Sequence, residues 1–279
     1  MTGAPNSSAT ERPKRVKLPF WRTIGQAYVI WASNLAQVIR ISWLWLLLMA
    51  PVLFALSWLL IPFLGESTHA APAGEIAPRP DGFLRLAHAI DMLVRAPMLA
   101  SIAVAWHRLV LRDERVTQRA YLRLDRVVLV YAGFFLFLVL LPTIPQYVID
   151  IYAGGATDAE MTRSLVASLL ILFLAFAGLY AAARLSIVLP ARALERNDIT
   201  LGRTWKETQG NGWRLLWGHF LCTVPIAVMA GAGSWWLLAS DDSRSVAAVG
   251  SVLLTYIAIL GAPIAVGFLS LAYRHFLEE

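Results

Sequence analysis

Long apolar stretches alternate along this chain with short basic ones, and the alternation predicts a bundle of membrane-crossing helices. Five stretches, 41–63, 127–148, 165–189, 213–238 and 246–273, are each at least 22 residues long and almost free of charge. About 20 residues of helix are enough to cross a hydrocarbon core about 30 Å thick. A sixth stretch, 88–111, is weaker, with Asp91 and Arg95 at its start and His107 and Arg108 at its end. The pair Asp91 and Arg95 has helical i,i+4 spacing, and Pro97 could divide this stretch into two helices. Between the spans, 65–82 and 150–160 read as loops.

Three basic segments precede the upward spans. In 20–40, Trp21, Ile24, Tyr28, Trp31, Leu35 and Val38 recur at steps of three and four, with Arg22, Gln26, Ser33, Gln37 and Arg40 opposite. This pattern predicts one amphipathic helix, lying in the membrane interface or packing its apolar face on the bundle. The second segment is 112–126, with Tyr121, Leu122 and Leu124 among its arginines. The third organises the chain. Arg184 to Pro190 ends the fourth span, Ala191 to Arg196 and Thr200 to Trp217 supply a short surface helix, and Gly210-Asn211-Gly212 turns into the fifth span.

Aligning Tyr28…Asn34, Tyr121…Val127 and Trp205…Asn211 gives three units of surface helix, span up and span down, with Asn34 and Asn211 suited to N-caps. Small residues at i,i+4 spacing, such as Ala177 and Ala181, Ala227 and Gly231, and Gly261 and Ala265, predict that the last three spans form the tight core. Residues 1–19 are polar and basic and read as a disordered tail, leaving 20–279 as one membrane domain.

Composition agrees with a bilayer as solvent. The chain has 279 residues, 58% hydrophobic and 15% charged, against about 25% charged in soluble domains. With six spans, 18 of the 24 Lys and Arg fall on one side, five on the other, and Arg184 lies inside a span. Basic residues stay cytoplasmic during insertion, so both termini are expected inside. The same distribution turns the basic balance away from nucleic acid and towards juxtamembrane segments. Arg outnumbers Lys 21 to 3, which points to a GC-rich bacterial genome, and with the spans the expected location is a bacterial inner membrane. No cleavable signal peptide is expected. Cys222 is the single cysteine and reads as a packing residue.

The sequence holds no catalytic motif. There is no phosphate-binding Gly-rich loop, no His-Glu-x-x-His and no nucleophile elbow, and no two of the five histidines share metal-ligand spacing. None of the five strong spans carries an interior Asp or Glu, the groups that coupled carriers use. The embedded polar residues are Arg184 and His219, each about 9 Å from the end of its span. Arg184 can snorkel to the interface, or it can hold a lipid phosphate or a polar group such as Glu195 or Glu207.

At Arg184-Leu-Ser-Ile-Val-Leu-Pro-Ala191, and at Trp205-Lys-Glu-Thr-Gln-Gly-Asn-Gly-Trp-Arg-Leu-Leu216, the chain resembles a bacterial group. That group is the six-span membrane domain of glycerophosphoryl diester phosphodiesterases and related stand-alone proteins. Ala103-Val-Ala-Trp-His-Arg-Leu-Val-Leu111 is similar to a segment of such proteins. The resemblance implies a six-helix inner-membrane protein. It does not imply phosphodiesterase activity, since the hydrolase there is a separate soluble domain.

The expectation is therefore an all-α, six-span, non-enzymatic membrane protein. It binds anionic lipid or a protein partner, or a second copy of itself, through a basic cytoplasmic collar that includes Arg184, His219, Arg203, Lys206 and Arg214. No metal or other cofactor is expected. A path for lipid or another amphiphile is the alternative, and a water-filled cavity at the midplane would distinguish it.

Overall fold

The computed structural model describes residues 17–66, 81–145, 161–239 and 244–278. The loops expected at 65–82 and 150–160, and most of the tail expected at 1–19, lie outside the described residues. Where the tail is described, Leu18 is fully buried, so the bundle begins before Phe20.

Among the described residues all regular structure is helical. The helices are α1 Phe20–Ser33, α2 Leu35–Glu66, α3 Asp81–Arg112, α4 Arg126–Leu140, α5 Met161–Leu185, α6 Val188–Ala193, α7 Leu201–Glu207, α8 Gly212–Ala239 and α9 Arg244–Leu277. Five of them, α2, α3, α5, α8 and α9, are long and apolar enough to cross a membrane. The stretch expected as a span at 127–148 is helical through α4 only as far as Leu140. Its 15 residues rise about 22 Å at 1.5 Å each. Asp125 caps its start by accepting the Val128 N–H. A turn ends it, with the Thr143 N–H and Oγ1 both donating to Leu140 O. Residues 146–148 of the expected span lie outside the described residues.

The centre of the bundle is α9, which packs against α1, α2, α3 and α8. Trp106, Met98 and Val104 of α3 and Phe268 and Tyr273 of α9 are fully buried. In lipid an apolar side chain gains little by changing apolar neighbours, so close fit holds the helices together. Glycines provide that fit. A Cβ on Gly218 of α8 would stand 2.1 Å from the Phe268 ring, and one on Gly261 of α9 would stand 2.0 Å from Ile226.

These contacts correct the expected core. The sixth span, α9, belongs to it, but the fourth does not. Half of the apolar window of α3 is buried, against 11% of that of α5. The α3 face carries Ala96, Ala100, Ser101, Ala103 and Ala105, all buried, and small residues in that number let α2, α4 and α9 come close. The Ala227–Gly231 pair is not the α8 contact, because Gly231 has open space beside it. Pro97 does not divide α3, which runs through it as one helix.

The predicted 20–40 helix is broken at Asn34. Its side-chain Nδ2 donates to Ile30 O and its backbone N–H to Trp31 O. Asn34 therefore closes α1, while its own carbonyl accepts from Gln37 and Val38 and opens α2. The buried stripe of α1 is Thr23, Ile24 and Ala27. Tyr28 Oη donates to Leu221 O of α8, and Trp31 Nε1 to Leu260 O of α9. Of the two positions open to this helix, packing on the bundle is the one these contacts describe. The second basic segment holds no helix between Asp113 and Asp125, so Tyr121 lies in irregular chain rather than on a surface helix. Arg40 and Trp43 of α2 fasten this segment by donating to the carbonyls of Val116 and Arg119.

The third connection has the expected plan. After α5 a two-residue turn leads into α6, in which Val188, Leu189, Pro190, Ala191 and Ala193 are all buried. α6 packs on α3, α4 and α9 and closes that end of the bundle. Glu195 follows at φ 63°. The Glu195 N–H donates to Arg192 O and the Arg196 N–H to Ala191 O, the pattern that ends a helix with one left-handed residue. Thr200 then caps α7 through the Arg203 N–H. Gly210 turns at φ 83°, a conformation that costs glycine little, and α8 begins.

Candidate functional site: the basic end

Seven arginines at this end of the bundle donate to main-chain carbonyls. Arg108 Nε and Arg112 reach the carbonyls of Ala193 and Leu194, at 3.0 and 3.2 Å. These oxygens lie at the C-terminal end of α6, where carbonyls lack helical partners and cations are favoured. Arg274 reaches Val110 O at 2.7 Å, Arg40 reaches Val116 O, Arg192 reaches Ile199 O, and Arg184 and Arg214 do the same elsewhere. Much of the basic excess thus fastens irregular chain to helix ends.

Arg184 lies in the last turn of α5 and is buried. Its Nε donates to Thr208 Oγ1 at 3.2 Å and a terminal nitrogen donates to Trp205 O. The guanidinium carbon stands 3.6 Å from the centre of the Trp205 ring and 5.9 Å from that of Tyr180. A cation over an aromatic face gains about 0.5–2 kcal/mol, most where water is excluded. The partner is the neighbouring surface helix α7, but through a carbonyl, a hydroxyl and a ring. Neither carboxylate named from the sequence takes part among the described contacts. Glu195, whose backbone is left-handed, instead pairs with Arg108 of α3 at 2.5 Å.

The other residues singled out from the sequence lie apart. His219 shares the α8 face of Leu215 and Cys222, both fully buried, and its Nδ1 is buried without a hydrogen-bond partner. No contact joins it to Arg184 among the described residues. Arg203 meets Asp198 at 3.4 Å, and Arg196 meets the same carboxylate at 2.8 Å. The Arg196 hydrogen bond holds the Asp198 carboxyl below the ordinary range. Arg214 donates to Leu18 O at 2.5 Å, and Asn211 Oδ1 accepts the Leu18 N–H at 3.0 Å. The side chain expected to cap α8 therefore clamps the start of the chain. Lys206 is exposed on α7, and its side chain has no hydrogen bond or ion pair among the described residues.

A second polar group was not evident from the sequence. His107 of α3 is fully buried, with Nδ1 2.7 Å from Ser270 Oγ and Nε2 3.0 Å from Tyr131 Oη. Ser270 Oγ also donates to Val266 O at 2.9 Å. A hydroxyl has one proton, so Ser270 accepts from His107 Nδ1–H and His107 Nε2 accepts from Tyr131 O–H. Every group is then satisfied by neutral partners. A Ser–His pair at this distance can mark an activated nucleophile, but Ser270 is fully buried and its proton is already committed. The geometry is that of a pin joining α3, α4 and α9.

Among the described residues no group of three or more His, Cys, Asp and Glu could hold a metal ion. No family model, curated protein or solved structure matches this chain.

Proposed function

We propose that this is a six-span protein of a bacterial inner membrane, with both termini cytoplasmic, and that its basic end binds anionic lipid head groups. Lys17, Arg22, Arg119, Arg126 and Lys206 carry the reading. All five are exposed at the basic end, and none of their side chains has a hydrogen bond or ion pair among the described residues. They stand beside the partly exposed indoles of Trp21, Trp43, Trp205, Trp213 and Trp217. Cations interleaved with indoles suit the head-group layer of an anionic leaflet, where each Lys or Arg contributes about 1 kcal/mol.

The parity of the helices supports six crossings. Leu18 is tied to the start of α8, and Arg274 to the end of α3. The segments at Leu18 and Arg274 therefore meet the same end of the bundle, which favours an even number of crossings between them, with α4 as the sixth. The order of elements also supports three units of surface segment, span up and span down, with the second surface segment irregular. The likeness to the membrane domain of glycerophosphoryl diester phosphodiesterases agrees with this plan and adds no chemistry. A filled axis of Trp106, Phe268 and Tyr273 favours a binding scaffold over a path for an amphiphile.

The test is native mass spectrometry of the full chain after equilibration with mixed phosphatidylglycerol and phosphatidylcholine. The expected result is retention of several phosphatidylglycerol molecules in preference to phosphatidylcholine. Arg22→Glu, Arg119→Glu and Lys206→Glu together should sharply lower the number of phosphatidylglycerol molecules retained and so weaken that preference. Equal retention of the two lipids, or an unchanged preference in the triple variant, would overturn the proposal.

A further inference from the structure

Between the start of α1 and the first turns of α8 lies a surface groove of about 560 Å3, lined by Phe20, Trp21, Trp213, Arg214, Trp217 and Leu221. That volume is within the range, about 300–1,000 Å3, of sites that hold a small molecule. Five of the six walls are apolar or aromatic. The sixth is a guanidinium whose one described hydrogen bond is to Leu18 O, and no carboxylate pairs with it among the described residues.

The groove has a direction. Trp213 stands at the basic end, one residue into α8, and leans on Phe176 and Tyr180 of α5 at 5.7 and 5.5 Å between ring centres. Leu221 lies eight residues further along α8, about 12 Å deeper. There the Tyr28 hydroxyl donates to Leu221 O and joins α1 to α8 at the inner end. The outer part therefore offers indoles and a cation at head-group depth, and the inner part offers an apolar channel at acyl-chain depth. Arg22, next to Trp21 in the chain, is exposed and adds positive charge to this end of α1.

We infer that this groove is a discrete site for one anionic glycerophospholipid, with its phosphate on Arg214 and an acyl chain along Trp217 and Leu221. A single amphiphile with a negative head and an apolar tail matches both the charge and the depth. The inference rests on the reading of the basic end as lipid-facing. It adds that one lipid is held by shape as well as charge.

The experiment counts lipids that survive detergent exchange on the full chain loaded with phosphatidylglycerol. One phosphatidylglycerol should persist after the others have left. Arg214→Gln should lower its occupancy roughly tenfold, the loss of one charge-assisted hydrogen bond. Arg214→Lys should keep more of it. Because Arg214 also holds Leu18, a second variant that spares that contact is needed. Leu221→Trp fills the channel and should expel the lipid while circular dichroism and melting temperature stay as in the wild type. Lys206→Gln and Arg119→Gln should leave this last lipid in place. Equal persistence in Leu221→Trp and wild type would overturn the groove site. Equal loss in the Lys206 and Arg119 variants would also overturn it, by showing diffuse attraction to the collar, and would leave the broader proposal standing.

Discussion

Arg184 shows how a cation is kept in a membrane-embedded helix. It is buried, and it meets no anion among the described residues. Its charge is shared between a carbonyl, a hydroxyl and the face of Trp205. Replacing it with leucine removes two hydrogen bonds from a charged donor and the ring stack, a cost of about 2–4 kcal/mol. Thermal unfolding in detergent should show that loss, and limited proteolysis should cut faster between Ser186 and Asn211. Arg184→Lys should recover part of both, since charge is kept but the planar fork is lost. Unchanged melting and proteolysis in Arg184→Leu would mean that the clasp contributes nothing. The direction of this contact was legible in the sequence, because only the following surface helix lies within reach of Arg184. Its partner was not, since a main-chain carbonyl has no signature in a side-chain pattern. His107 was illegible for another reason. Its partners are 24 and 163 residues away, beyond any local spacing. Tyr131→Phe leaves His107 Nε2 buried without a donor, at a cost of about 1–3 kcal/mol. Adding Ser270→Ala should cost less than the sum of the two single changes, because both belong to one network. Additive melting shifts would contradict the shared pin.

At the scale of elements, hydropathy located the long helices, though α2 begins at Leu35 and α3 at Asp81, six and seven residues before the expected starts, while the order of packing escaped it. In lipid every span is apolar, so apolar content cannot separate a central helix from a peripheral one. Helix α3, the weakest span by sequence, is central because its alanines admit three neighbours. Helix α5, rich in small residues, is peripheral, with Val166, Leu169, Leu172 and Phe173 each more than 60% exposed. It comes close to α4 at Gly178, where a Cβ would stand 2.6 Å from Leu141 O. That oxygen belongs to the backbone at the end of α4, so it cannot swing aside. Gly178→Ala should cost about 1–3 kcal/mol by forcing α4 and α5 apart. Gly133 of α4 has nothing within 4 Å, and Gly133→Ala should be neutral or stabilising by up to about 1 kcal/mol. Melting temperatures of the two variants in one detergent make the comparison, and a fall in Gly133→Ala as large as in Gly178→Ala would contradict the close approach. The break at Asn34 was not legible in the sequence because the amphipathic period continues across it, while the bonds of Asn34 to Ile30 O and Trp31 O close one helix and its carbonyl opens the next.

For the whole molecule, the basic residues have two uses that a count of charges merges. One set, including Arg108, Arg112, Arg184, Arg214 and Arg274, fastens the ends of helices. The other, Lys17, Arg22, Arg119, Arg126 and Lys206, faces outward and is free to meet a membrane surface. The sequence asymmetry predicted sidedness but could not divide these sets, because the division depends on which carbonyls the fold leaves without partners. The proposed topology requires the basic end to face the cytoplasm and α4 to cross the bilayer. The most direct measurement labels single cysteines with a membrane-impermeant thiol reagent in intact cells, in a Cys222→Ala background. A cysteine at Thr143, just past α4, should be labelled from outside. Cysteines at Arg115 and Lys206 should react only after the membrane is opened. Labelling of Thr143 only after opening, as at Arg115, would mean that α4 does not cross and would contradict both the six-span arrangement and the sidedness built on it.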